Sequence, residues 1–259
     1  HIDGMDSLPD AWGERLGLGE VGIDAIRLWV SLVLHGNSRA YLREEAYGPY
    51  RRFDMRGHTL SFLMDASEVP CSCAATLYFV SMRDGEGYCD ILSEPPCTEL
   101  DVIEASRGAV QSSIHTSMGK VDDGTCNQNG CVVNLGNFEK YVSPLGLVTP
   151  IRQLFGHGAP EIDTSKPFTV SAWMDDDGFM GTRLVQGGRR LELLNRSSAS
   201  NPPAGCCCQL DGATGCSPRN SPTSGNHSGI TADAAKVSAA AQTALGGMVL
   251  VISLWEMMV

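Results

Sequence analysis

The sequence predicts an all-β fold, an antiparallel β-sandwich carrying long loops. Three observations lead there. Short apolar runs rich in Val, Ile, Leu and aromatic residues recur along the chain, the composition that suits a pleated, half-buried surface. Leu60-Ser61-Phe62-Leu63-Met64 alternates as a strand with one buried face does. Gly, Asp and Pro stand between the runs, where turns need them. With 259 residues and 42% hydrophobic content the chain can bury one large core or two modest ones. One sandwich domain over 25–259 is the expected organisation, with an N-terminal loop or remnant at 1–24.

The elements follow in order. Residues 1–24 are polar and Gly-rich with Trp12 as their large anchor. The run 26–34, ended by Gly36-Asn37, reads as a strand with Trp29 in the core. Residues 60–64, 76–82, 97–105, 168–174 and 183–185 continue the short-strand rhythm. The segment 196–228 is rich in Ser, Pro, Gly and Cys and reads as a long, stapled loop. Residues 231–245 suit a short helix. Residues 237–259 contain a single charge, Glu256, over a length that could span a bilayer. Against that, Gly246-Gly247 divides the stretch, and the β-branched run after it suits a buried strand.

A formal net charge of -11 and a pI near 4.9 argue against nucleic acid, which needs clustered Lys and Arg. Ten cysteines exceed cytosolic habit. Their spacings, Cys71-x-Cys73, Cys126 to Cys131 and Cys206-Cys207-Cys208, lack paired zinc geometry, so disulfides in a secreted, extracellular protein are expected and a metal is not. Sequons at Asn195 and Asn226 are compatible with secretion. No signal peptide is visible, and the sequence starts at His1 without an initiator Met, as expected from processing or trimming.

The chemistry concentrates in Cys97-Thr98-Glu99-Leu100-Asp101-Val102-Ile103-Glu104-Ala105. On a strand, Glu99 and Asp101 share one face while Leu100 and Val102 take the other. Glu104 breaks that parity. One extra residue, a β-bulge, would turn Glu104 back to the carboxylate face. Crowded carboxylates raise at least one pKa, which sets a protonated acid beside an ionised one, the pair that a retaining glycosidase uses. The same run also reads as a solvated acidic edge strand.

Glu-x-Asp-x-x-Glu resembles the motif of two sandwich glycosidase families, 16 and 7. Leu77-Tyr78-Phe79-Val80-Ser81-Met82, Gly87-Tyr88-Cys89-Asp90, Gly124-Thr125-Cys126 with Gly130-Cys131, and Gly246-Gly247-Met248-Val249-Leu250-Val251-Ile252-Ser253-Leu254-Trp255 resemble family 7, in that family's order. The resemblance runs from about Arg39 to Val259. It implies a concanavalin-like jelly roll with a substrate cleft, and a cofactor-free, monomeric, retaining β-1,4-glucanase acting on cellulose or a related β-glucan. It also implies roles: Glu99 as nucleophile, Glu104 as general acid and then base, and Asp101 between them to tune Glu99. Tyr78 and Asp90 resemble residues that bond around the nucleophile and the sugar, and His115 an active-site histidine near the acid. Arg183 resembles an arginine gripping the leaving-side sugar, and Trp255 a stacking platform. For Tyr78 and Trp255 a core aromatic, for His115 a structural histidine and for Arg183 a surface cation are the competing readings.

The resemblance further pairs Cys89 with Cys97. A second family bridge falls on Ser93 and Pro96, while Cys71 and Cys126 keep their cysteines without the usual partners, Ser117 replacing one and the other lying beyond Val259. Ile103 replaces a Trp, Ala74 an Asn, and Asn129 and Val133 an Asp and a Trp of the leaving-side sites. The family's N-terminal sugar-stacking tryptophans are not recognisable, and its chain continues past Trp255, so the sheet is expected to be incomplete. A carbohydrate-binding sandwich that has lost turnover, or a family 16 type β-glucanase, are the alternatives. Only seven residues, 90–96, separate Cys89 from Cys97. That connection is too short to roof a tunnel, so internal cutting in an open cleft is expected.

Overall fold

The computed structural model describes residues 2–4, 38–44, 48–85, 87–116, 126, 130–135, 140–142, 148–174, 179–194 and 245–256. The expectations for 26–34, 196–228, 231–244, both sequons, Asn129 and Ser117 lie outside them, as does the side chain of Val133. In chain order the strands are β1 (Ile2–Gly4), β2 (Ser38–Leu42), β3 (Arg52–Phe53), β4 (Thr59–Met64), β5 (Cys73–Val80), β6 (Glu99–Ala105), β7 (Val110–His115), β8 (Cys131–Leu135), β9 (Lys140–Val142), β10 (Val148–Pro150), β11 (Phe155–Gly156), β12 (Ile162–Asp163), β13 (Phe168–Met174), β14 (Met180–Gln186), β15 (Arg189–Glu192) and β16 (Met248–Glu256). One helical turn, α1 (Ile151–Leu154), precedes β11.

Two antiparallel sheets form the sandwich. The larger has eight strands, ordered β1-β2-β16-β5-β6-β7-β8 with β3 also on β16, and the smaller is β15-β14-β13-β4. Ile2–Gly4, expected as loop, instead adds a strand to β2, pairing Ile2 with Leu42. Between the sheets, Leu77, Phe79, Leu100, Val102, Ile103, Ile114 and Leu250 meet Phe168, Val170, Ala172, Met174, Met180 and Leu184. Burying each such large side chain contributes about 1.5–3 kcal/mol. The alternation of Phe168–Met174, buried at every second residue, assigns that face to the core and leaves Thr169, Ser171 and Trp173 on the other.

The hydrophobic C-terminal run is a nine-residue strand lying between β2 and β5. A 3-10 turn at Leu245–Gly247 leads into it. No helix among the described residues is long and apolar enough to cross a membrane. Arg52 secures the entry to β16: its guanidinium donates to the Gly247 carbonyl at 2.9 Å and to the Met82 carbonyl, and pairs with Asp84 at 3.0 Å.

On the larger sheet's other face a second apolar group gathers Tyr41, Tyr78, Val80, Met82, Val249 and Val251, with Tyr50 and Tyr88 packed on it. This group occupies the side of the sheet that carries the carboxylates. Cys89 and Cys97 are bridged, as the resemblance implies, with Cα atoms 5.6 Å apart. Cys126 is not left without a partner: Cys131, five residues on with its Cα 4.9 Å away, bonds to it. Cys71 and Cys73 form no disulfide among the described residues.

Candidate active site

The strand β6 carries the expected irregularity. Tyr78 pairs with Asp101 and Leu77 with Ile103, so Val102 has no opposite number on β5. On the other side Ser113 pairs with Asp101 and Gln111 with Glu104, leaving Ser112 to face two residues. Two residues opposing one is a β-bulge. Val102 and Ile103 both enter the core, each fully buried, and Glu104 is turned to the face of Glu99 and Asp101. Two apolar neighbours in succession therefore hold the bulge in place: flattening the strand would expose one of them. The Ser112 hydroxyl lies 2.9 Å from both the Asp101 carbonyl and the Thr182 hydroxyl of β14, tying the bulge across the sandwich.

Asp101 lies at the centre, only 5% exposed. Its Oδ2 accepts from the Ser113 hydroxyl at 2.5 Å and lies 3.1 Å from His115 Nε2. A carboxylate this buried requires such partners. His115 is seated against Gly130, where a Cβ would stand 2.5 Å from the ring's Cε1. Gly130 has φ +74, a conformation that glycine adopts without cost.

Glu99 accepts the backbone N–H of Ile91 at 3.2 Å, from the loop closed by the Cys89–Cys97 bridge. Glu104 accepts an N–H from the Gln111 carboxamide. Both glutamates are pushed well above the usual carboxyl range, first by burial and then by the charge of Asp101, while His115 and these hydrogen bonds pull the other way. Protons on such a cluster belong to the group. Three acids on one wall thus retain a proton into the neutral range, which is what acid–base work at a glycosidic bond requires.

Tyr78 stands beside this wall. It is buried, its hydroxyl 3.0 Å from that of Tyr88, and burial pushes it up to about 12, so it serves as a neutral hydrogen-bonding group. Trp255, opposite Ala74, is on the same sheet face and half-buried. The Arg39 guanidinium lies 4.0 Å from its ring and 3.8 Å from that of Tyr88, a cation held between two aromatic faces. Asp90 sits in the bridged loop near Glu99, and its Oδ1 accepts from Leu92 N–H and the Ser93 hydroxyl, both at 2.9 Å. That carboxylate shapes the loop.

Arg183 is not brought to this site. It lies on β14, whose neighbouring residues Thr182 and Leu184 face the core, so Arg183 points out from the far sheet. There it pairs with Glu192 and lies 5.1 Å over Trp173. A strand in the second sheet has its outward face on the opposite side of the sandwich from the carboxylates, which is why the expected sugar contact fails. Sequence reading in turn missed Gln111, Ser113, Gly130 and Arg39. The alternation of Gln111, Ser113 and His115 was the available signal, since period 2 puts all three on one face.

The model of the family described as Glycosyl hydrolase family 7 matches residues 31–94, ending short of the carboxylates. Endoglucanase EG-1 of Hypocrea jecorina is 25% identical over 248 residues, covering 84% of this chain and 47% of its own. The native endocellulase EGI structure of Humicola insolens superposes with a TM-score of 0.53 at 21% identity, over 85% of this chain and 61% of that one. These matches converge on glycosyl hydrolase family 7, to which the chain is similar. Among its structural relatives is a family 7 cellobiohydrolase from Daphnia pulex, with a TM-score of 0.52 at 18% identity over 85% of this chain and 62% of the other. Likeness at that identity shows the shared sandwich. Endoglucanase 1 of Humicola insolens is 25% identical over 172 residues, 51% of this chain and 40% of its own. The chain spans about half the length, or less, of the curated relatives it matches.

Proposed function

We propose that the protein is a retaining β-1,4-glucanase that cuts cellulose or a related β-glucan internally, from an open cleft. The observation that carries this is the bulge at Val102, which sets Glu99, Asp101 and Glu104 on one face among groups that keep protons on the cluster. Glu99 attacks the anomeric carbon and forms the glycosyl-enzyme bond, while Glu104 delivers its proton to the departing glycosidic oxygen. Glu104, now ionised, takes a proton from water, whose oxygen attacks the same carbon and frees Glu99. The Ile91 N–H favours the ionised form of Glu99 that the first step needs. Asp101, held by Ser113 and His115, orients its neighbours and keeps negative charge near the developing oxocarbenium ion. Tyr78 and Trp255 supply the sugar-facing wall.

The connection 90–96 supports internal cutting. Closed at its base by Cys89–Cys97 and folded down by hydrogen bonds from Ser93 N–H and Cys97 N–H to the Asp90 carbonyl, it does not arch over a sugar chain. The two bridges also suit an oxidising compartment, so we read the protein as secreted.

Viscometry on a soluble substituted cellulose tests the reading. Internal cutting lowers viscosity early, at low reducing-sugar yield. Cellobiose as nearly the sole product while viscosity holds would overturn the open cleft. Retention on cellulose with no sugar released would leave a binding sandwich.

A further inference from the structure

One group on the carboxylate face that the proposed chemistry does not use is Gln111. It sits directly across the ladder from Glu104, on the partner strand β7, and its carboxamide N–H is donated to Glu104 Oε2. We propose that Gln111 is a positioning residue for Glu104: it holds one carboxyl oxygen as an acceptor, so that the proton to be transferred resides on the other. This rests on the reading of Glu104 as the proton donor.

The argument is one of donors and lone pairs. A carboxyl group presents two oxygens, and an unrestrained acid can carry its proton on either. The carbonyl oxygen of a protonated carboxyl is a much better acceptor than its hydroxyl oxygen, so the amide N–H favours the arrangement in which the oxygen facing Gln111 carries no proton. Directly opposite cross-strand residues bring their side chains together, so this placement follows from the register. The register in turn follows from the bulge, since without the extra residue Glu104 would face the core and Gln111 would meet another neighbour. The same hydrogen bond favours the ionised carboxylate, opposing burial and the Asp101 charge, which favour the neutral acid. Gln111 therefore limits how tightly Glu104 keeps its proton, and leaves it able to give that proton up.

The titratable groups that act on Glu104 are few. Asp101 raises its proton affinity from the same strand and His115 lowers it from β7. Thr76, opposite on β5, is uncharged, as is Asn134, the register partner of Gln111 on β8. Removing the Gln111 donor thus leaves burial and Asp101 weakly opposed.

The test uses the full chain and two measurements. First, carboxyl carbon NMR follows the titration of Glu104 in the native chain and in Gln111→Met, which keeps the length and removes the donor. The midpoint is expected to rise by roughly one pH unit in the variant, the scale of a hydrogen bond to a charged group. Second, in the unsubstituted chain the Gln111 side-chain amide proton is expected to shift with the same midpoint as Glu104, so a poorly folding variant does not block the answer. A midpoint that stays or falls in Gln111→Met, or an amide proton that ignores the titration, overturns the proposal. On a natural glucan the variant should also lose turnover by roughly tenfold and carry its alkaline limb to higher pH. On an aryl glycoside with a good leaving group it should lose little. A chain that shows the NMR behaviour without hydrolysing any glucan would keep the Gln111 assignment and remove the glucanase reading.

Discussion

His115 Nε2 lies 3.1 Å from Asp101 Oδ2, and the ring that makes this contact is floored by Gly130, a residue fifteen positions along the chain. The geometry makes a backbone position part of the site. Gly130→Ala places a methyl against the ring and a side chain on a left-handed backbone, which costs roughly 1–2 kcal/mol for the conformation alone. The variant is expected to melt lower and to lose turnover in step with His115→Ala. Thermal melts and kcat on a soluble glucan check this; turnover unchanged in Gly130→Ala would show that the His115 position does not matter.

Glu99→Gln and Glu104→Gln are each expected to abolish nearly all turnover on a natural glucan, by roughly a thousandfold or more. Asp101→Asn removes a tuning charge and should leave a measurable remainder. The discriminating substrate is an activated aryl glycoside, whose leaving group needs little protonation. Glu104→Gln should still form the glycosyl-enzyme with it and show a burst. If that variant handles both substrates equally badly, Glu104 is not the acid.

Stability should fall as pH rises across the neutral range. Both glutamates hold protons more tightly in the folded chain, raised as a group above an ordinary 4.5 by burial and by the charge of Asp101. Below 4.5 folded and unfolded chains are both protonated at these positions and nothing is lost. Above it the unfolded chain releases its protons first, so folding is progressively disfavoured until the folded values are passed. Glu104→Gln is therefore expected to raise the melting temperature at pH 8 by about 5 °C, corresponding to roughly 2 kcal/mol, and to flatten the pH dependence. Calorimetric scans from pH 4 to 9 measure it, and a Glu104→Gln chain that melts lower than its parent at pH 8 would contradict the burial of that carboxyl.

Opening the Cys89–Cys97 bridge with paired serines should cost about 2 kcal/mol, the loop-closure entropy of so short a span. Activity should drop as well, because the loop that the bridge closes carries the Ile91 N–H held 3.2 Å from Glu99. Peptide mapping under non-reducing conditions should recover 89 with 97 and 126 with 131. A free Cys126 in oxidised material would contradict the second pairing.

Much of this architecture is legible in local sequence. Period-2 alternation marks the strands at Thr59–Met64 and Phe168–Met174, and the double Gly before Met248 cuts the hydrophobic C-terminal run to strand length. The edge strand β1 and its neighbour β2 were not legible, since short segments without a strong pattern become strands only when a neighbour offers them a ladder. The same holds for β15, whose pattern of one buried residue among exposed charges carries little signal. Cys126 was misjudged for another reason. Pairing by family position looked for a distant partner, whereas the chain brings Cys131 within bonding reach.

What the sequence by itself determined is the wall of Glu99, Asp101 and Glu104. Side-chain direction along a strand is a local property of the backbone, and two apolar residues between Asp101 and Glu104 can both reach the core only if the strand bulges there. Tertiary structure alone decided what those acids meet: Gln111 on Glu104, Ser113 and His115 on Asp101, Gly130 beneath the imidazole, and Arg183 on the far side of the sandwich. These depend on which strand lies beside which, in what register and in which of two sheets. That choice is made by hydrogen-bond ladders between segments distant in the chain and by the core the two sheets enclose, so no local pattern could contain it.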